Sequence, residues 1–317
     1  MSMPRRVARA IVARLLAAVA VMLGAATLAF AALQALPGDP VQRLLGPMSQ
    51  APEEVRARIR ADYGFDRPVI VQYLRYIGGL ARGDLGESYQ SQQPVSRLIG
   101  DQLWPTVQLA LAALGIAVVL AVVSAVATAG RWPWLRALAW AGELTAVSTP
   151  GFWVGIVLLA LFSFQLQIFP VAGAQDLSSL VLPALTLALA IAGMLAQVLR
   201  EGMEAALTQP FVVTARARGL SQTAVRLRHV LRHAAVPAVT LTGWLTGTLI
   251  GGVVPIETVF GRPGVGSLLL RAVTTADMPV VMAVVVLSAF VFVIISAVVD
   301  LLYLVIDPRL RTVEAVV

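Results

Sequence analysis

Few side chains in this chain could do chemistry, and their types and spacing point to a partner more than to a reaction. His229 and His233 lie four residues apart, which puts two imidazoles on one helix face, as metal ligation would want. Two such ligands are too few for a metal site, and the Ser and Thr of the apolar segments have no base close in sequence. Neither a metal site nor a catalytic set is assigned. The denser constellation is Thr214, Ala215, Arg216, Ala217, Arg218, Gly219, Leu220 and Ser221, followed by His229, Leu231, Arg232 and Pro237. So many arginines with so few carboxylates add little to a fold by themselves and call for another protein. All 24 basic residues are arginine, so a phosphate-binding loop of the Walker type, which needs a lysine, cannot reside here. The chain has no cysteine, which excludes disulfides and thiolate chemistry.

The elements that must position this segment are membrane spans. With 58% hydrophobic and 13% charged residues, the chain is composed for lipid. A helix needs roughly 20 apolar residues to cross a bilayer, and six runs qualify, at about 12–34, 104–129, 137–163, 179–199, 238–259 and 279–305. The expected fold is all-α, one polytopic membrane domain over 1–317. Arg5, Arg6 and Arg9 precede the first run and Arg14 stands in its first turn, without an acid, Arg131 and Arg136 separate runs two and three, six arginines separate runs four and five, and Arg309 and Arg311 follow the last. The positive-inside rule then makes both termini cytoplasmic and accounts for the net charge of +7 without nucleic acid. Ala29-Phe30-Ala31 resembles a signal-peptide cleavage site, but the long apolar run and the later loops favour an uncleaved anchor.

Residues 35–103 form the one long extracytoplasmic loop, with eight arginines against eight carboxylates. After a turn at Pro37-Gly38-Asp39-Pro40, Ser49 is expected to cap a helix with Val55, Ile59 and Tyr63 on one face, ended by Gly64. Asp66 is expected to cap a second, with Ile70, Tyr73, Leu74 and Ile77 on its apolar face and Gly78-Gly79 stopping it. This lid is read either as a solvated cover without ligand contacts or as a docking or gating element.

Within the spans the only carboxylates are Glu143, Glu257 and Asp300, each near a span end. An ion-coupled carrier places such groups or broken helices at mid-membrane, so the composition weighs against one, although Pro150-Gly151 interrupts span three. A packing kink is expected there. Gly243, Gly247 and Gly251 recur at intervals of four in span five, a face for close helix approach or for part of a translocation path, with Pro255 as a hinge and Glu257 beside it.

Residues 200–237 make the cytoplasmic loop. Arg200 to Gln209 reads as helix, Pro210 interrupts, Phe211 to Arg218 forms a second piece, Gly219 suits a left-handed position, and Ser221 caps a further helix. In that helix Val225, Leu227, Val230 and Leu231 are expected to pack while Arg226, Arg228 and Arg232 stay exposed, with Pro237 marking the start of span five. Here the chain resembles the permease subunits of binding-protein-dependent ABC importers, in particular the peptide and nickel branch, whose loop runs T-A-R-A-[KR]-G-L-S, then H-x-L-R, then P. The resemblance covers nearly the whole chain: Leu36 to Pro40, Gly64 to Pro68 with Gln72-Tyr73, Gly83-Asp84-Leu85-Gly86, Pro255-Ile256-Glu257 with Gly264-Val265-Gly266, and Asp300 with Asp307-Pro308-Arg309. The wider importer pattern E-A-A-x3-G-x9-I-x-L-P is only partly kept. Glu204-Ala205-Ala206 is followed by Pro210 where that pattern has glycine, so the triplet receives no coupling role.

The resemblance implies a type I importer permease fold in a bacterial inner membrane. It also implies that residues 214–221, His229 and Arg232 seat in a separate ATPase subunit, which would hold ATP and Mg while this chain binds no cofactor. The implied partners are a second permease, two ATPase subunits or domains, an extracytoplasmic binding protein and the bilayer. A gradient-driven carrier is the alternative.

Overall fold

The computed structural model describes residues 3–46 and 51–306. Among these the chain is α-helical, with no strand beyond an isolated bridge between Glu87 and Pro94. Four helices are long and apolar enough to cross a membrane: Val12–Gln34 within α1 (Met3–Gln34), Val95–Thr128, Ser178–Leu207 and the stretch Met278–Val299. Two bent pairs raise the total to six if each is one span, in the places read from the sequence.

The chain divides into two compact units. One comprises Met1–Trp104 and Ser267–Val293. In it α2 (Pro40–Leu45) starts at Asp39, whose carboxylate accepts from the Val41 amide at 3.0 Å and from Arg60 at 2.9 Å. The Pro-Gly-Asp-Pro stretch is therefore a helix cap tied by a cation to α3 (Glu53–Asp62). Ser49 lies outside the described residues, and α3 starts behind Pro52. Asp66 does not cap α4 (Val69–Leu80): Pro68 holds that position, and the helix passes through Gly78-Gly79. Ile70 and Leu74 are more than half exposed, so the packed face of α4 is Tyr73, edge-on to Phe30 of α1 with ring centres 5.4 Å apart, and Tyr76, stacked on Phe30 at 6.0 Å. The aromatic pair uses a direction of the helix that aliphatic spacing alone does not reveal. Further along, Asp277 is buried and receives Ser88 Oγ and, at 2.9 Å, the Tyr89 amide, which fastens the 83–94 turn to the start of α13 (Met278–Ile306).

The second unit, Pro105–Gly266 and Ile294–Val317, holds the main core. Along α5 (Val95–Thr128), Leu109, Ala113, Ala117, Ala121 and Ala125 recur every fourth residue and are fully buried. Small residues at that spacing let helix backbones approach closely where lipid supplies no hydrophobic drive. α6 (Pro133–Ser148) and α7 (Gly151–Leu158) meet at 105°. Thr149 is extended and Pro150 cannot continue the helix, so the interruption is a break and not the packing kink expected. A π-helical segment, Leu159–Gln165, follows. α8 (Ser178–Leu207) is the central element, its most apolar stretch 67% buried, and packs on α6, α7 and α11 (Leu231–Val259).

α9 (Pro210–Ala217) and α10 (Gln222–Val225) lie between α8 and α11. Pro237 does not start a new helix, because α11 runs through it. A bend of 56° falls between Leu249 and Gly251, where Pro255 cannot donate to the Gly251 carbonyl. α12 (Val265–Thr274) and α13 (Met278–Ile306) complete the described chain, and the Asp307-Pro308-Arg309 stretch with Arg311 lies outside it.

Candidate functional site

The arginine-rich segment is a short helical hairpin with well-defined ends. Pro210 occupies the first turn of α9, where its missing N–H costs nothing. Val212 and Ala215 are buried in the core and clamp one face of α9 down, while Phe211 stacks on His233 with ring centres 4.7 Å apart. The helix closes by a Schellman arrangement: Gly219 N–H donates to the Arg216 carbonyl at 2.9 Å and Leu220 N–H to the Ala215 carbonyl at 3.4 Å. That geometry needs the positive φ of Gly219, +83°, as its spacing predicts. Ser221 then caps the next helix, its Oγ accepting from the Ala224 amide at 3.3 Å.

Thr214, Arg216, Ala217, Arg218, Gly219, Ser221 and Arg232 are exposed, Leu220 and His229 are half-buried, and Ala215 faces the core. Two expectations fail. Arg226 is buried at 4% exposure and Leu227 is 48% exposed. The cause is a π turn at Arg226–Val230, where one extra residue rotates the face so that Val225 and Val230, five apart, share the buried side. Arg226 Nη2 donates to the Gly130 carbonyl at 3.3 Å, linking the hairpin to the α5–α6 connection. Burial pulls the Arg226 pKa below its ordinary value, and the charges of Arg131 and Arg216 act in the same direction. Gly130 has φ +58°, and a Cβ there would come 2.8 Å from Leu207. No carboxylate occurs between Glu204 and Glu257, so the exposed face is strongly electropositive.

The hairpin is continuous with the spans. A Cβ on Gly202 of α8 would come 3.1 Å from the Ala234 Cα of α11, so the helices flanking the hairpin touch closely. Arg200 pairs with Glu143 of α6, both buried, and Ser124 of α5 donates to the same carboxylate oxygen at 2.7 Å. Glu143 and Arg200 are 57 positions apart in the sequence, so nothing local joins them. Glu204 makes an ion pair with Arg136 at 3.5 Å.

A family model described as the binding-protein-dependent transport system inner membrane component matches residues 117–312, and its companion for the N-terminal membrane component matches residues 7–110. The chain belongs to this permease family. Among its relatives, the glutathione transport system permease protein GsiC of Salmonella paratyphi A is 38% identical over 301 residues, covering 94% of this chain and 97% of the relative. A putative peptide transport system permease protein of Brucella abortus is 38% identical over 310 residues, covering 95% and 98%. The permease is thus an all-α, multi-pass transport subunit of an ABC importer and not an enzyme, and it works with ATPase and substrate-binding partners.

The other candidate residues of the permease fall in different surroundings. Gly243 packs so tightly on Val299 of α13 that any side chain would collide, whereas a Cβ on Gly251 would meet nothing within 4 Å. Gly247 lies in α11 between them. Gly243 also lines an apolar cavity of about 470 Å³ whose polar contributions are Thr242 and Thr246, both bonded back to carbonyls of α11. Pro255 follows the bend, and Glu257 is fully buried with Thr106 Oγ donating to it at 2.6 Å. Thr106 Oγ in turn accepts from the Val265 amide at 2.8 Å, and Gly264 lies so close that a Cβ would strike the carboxylate. The Glu257 to Gly266 motif is thereby a carboxylate wrapped by glycines, a feature visible in sequence only as spacing.

Proposed function

We propose that this permease is one of two membrane subunits of an ATP-driven importer for peptides or similar small solutes, with a paralogous second permease, two ATPase subunits or domains and an extracytoplasmic binding protein. It is one membrane domain of 1–317 in a bacterial inner membrane with both termini cytoplasmic. Residues 35–103 are its extracytoplasmic helical loop and 200–237 its coupling loop. Thr214 to Ser221, His229 and Arg232 form the ATPase contact, Ala215 by holding the helix in place. ATP and Mg sit on the partners, and this chain holds no cofactor. The observation that carries the reading is the Schellman-closed, arginine-faced hairpin anchored to α8 and α11, because a rigid lever is what converts ATPase closure into movement of spans. Gly243, Gly247, Gly251 and Pro255 form a hinge beside the path, and Glu257 anchors its end; the 56° bend supports this. The names of the relatives support glutathione or peptide as cargo.

Uptake into proteoliposomes holding the assembled complex tests this. Transport of glutathione or short peptides should require ATP, survive collapse of ion gradients by ionophores, and disappear with Arg216→Glu while membrane insertion stays intact. Uptake that follows an ion gradient without ATP would replace the importer by a carrier.

A further inference from the structure

The first unit contains a pocket that the transport reading does not use. It is a cavity of about 350 Å³ bounded by the last turn of α1, by α4 and by the first turn of α13, within the roughly 300–1,000 Å³ of small-ligand sites. Its walls are aromatic and apolar, with Phe30, Tyr63, Tyr76 and Met282 prominent, and its only charged residues are arginines.

Arg43 is already occupied, donating to the Leu33 and Leu36 carbonyls at the end of α1. Arg67 and Arg75 are not: among the described residues neither pairs with a carboxylate. Yet the two converge. A Cβ on Gly64 would lie 3.8 Å from Arg67 Nε and 3.8 Å from Arg75 Nη1, so both guanidinium groups flank one glycine at the pocket wall. Bringing two cations together without a counter-charge is unfavourable in itself and becomes favourable when an anion bridges them. The Tyr76 hydroxyl is buried without a hydrogen-bond partner among the described residues and lines the same cavity. The pocket also lies where α1's apolar stretch ends at Gln34 and α13's begins at Met278, the level at which spans leave the hydrocarbon.

We propose that this pocket binds the phosphate headgroup of an anionic glycerophospholipid, the phosphodiester oxygens bridging Arg67 and Arg75 and the glycerol and upper acyl chain lying against Phe30 and Met282. A phosphodiester offers two unesterified oxygens to planar donor forks, which is the chemistry arginine recognises. A free anion would make no use of the apolar wall, and a neutral apolar ligand none of the arginine pair.

The test is native mass spectrometry of the full chain in its complex, in mild detergent, titrated with phosphatidylglycerol, with diacylglycerol of the same acyl chains, and with inorganic phosphate as competitor. The expected result is retention of phosphatidylglycerol, no retention of diacylglycerol, no displacement by inorganic phosphate, and retention weakened about tenfold or more in the Arg67→Gln/Arg75→Gln variant. Equal retention by that variant overturns the proposal, and displacement by inorganic phosphate reassigns the site to a free anion. Photoactivatable phosphatidylglycerol on the unmodified chain guards against a variant that fails to fold. Labels within residues 63–76 or at Phe30 or Met282 support the site, and labels confined to other segments overturn it.

Discussion

Replacing Arg200 by Met should be among the most damaging single changes in the membrane core. Arg200 and Glu143 have side chains 5% and 9% exposed, and Glu143 Oε2 already lacks a hydrogen-bond partner, so without the guanidinium the carboxylate keeps only Ser124. Stranding one charge of a buried pair costs about 3–5 kcal/mol, and Glu143→Gln should cost a similar amount by stranding the cation. The double variant removes both charges and, for the same reason, should lie within about 2 kcal/mol of the unmodified chain. The two single losses then exceed the double loss by several kcal/mol, a coupling far larger than the roughly 0.3–0.5 kcal/mol scatter of independent sites. Unfolding in a mixed-micelle denaturant titration, followed by tryptophan fluorescence, measures all four corners of the cycle. Single losses below about 1 kcal/mol that simply add would refute the buried pair. The consequence reaches function, because the pair fixes α8 to α6 just before α8 becomes the stem of the hairpin.

Three further outcomes follow from the same geometry. Arg226→Ala should lower stability by about 1–3 kcal/mol, since it empties a buried site and leaves the Gly130 carbonyl without its donor, whereas Arg228→Ala should stay within about 0.5 kcal/mol; thermal unfolding of the two variants side by side checks this. Gly266→Ala should destabilise by about 1–3 kcal/mol because the new Cβ would fall 2.7 Å from the Val254 Cα, while Gly251→Ala, with open space around it, should be neutral or stabilising by up to about 1 kcal/mol. Gly130→Ala combines a left-handed backbone with a 2.8 Å approach to Leu207 and should cost about 1–3 kcal/mol, read from the same unfolding curves.

Much of this arrangement is legible in the sequence where the cause is local. Gly219 and Ser221 announce a helix end and a helix start because a left-handed turn and an amide-accepting hydroxyl have few substitutes, and both stand where spacing puts them. The span positions follow from hydropathy, since lipid tolerates little else. What escapes is set by contacts distant in sequence or by small departures from helical period. The π turn at Arg226–Val230 is invisible to a count in steps of 3.6 residues, and it alone turns Arg226 inward and Leu227 outward. The Glu143–Arg200 pair and the Gly202–Ala234 approach join helices whose adjacency no local pattern encodes. At Pro150 the interruption is legible but its size is not, because the same dipeptide permits a kink or the observed 105° break. The roles proposed for the Gly243 to Glu257 stretch depend on the proposed path shared with a second permease, which no pattern within one chain encodes.

The proposed coupling rests on the hairpin as the contact through which ATPases would drive this subunit. The most direct measurement is isolation of the native complex in mild detergent through a tag on this chain, with every co-purifying protein identified by mass spectrometry, beside a Gly219→Pro control. Proline cannot adopt φ +83°, so that variant loses the turn while α8 and α11 remain. The expected result is ATPases and a second permease with the unmodified chain, and loss of the ATPases alone with the control. A chain that emerges inserted, stable and without ATPases, or a control that keeps them in full amount, would contradict it.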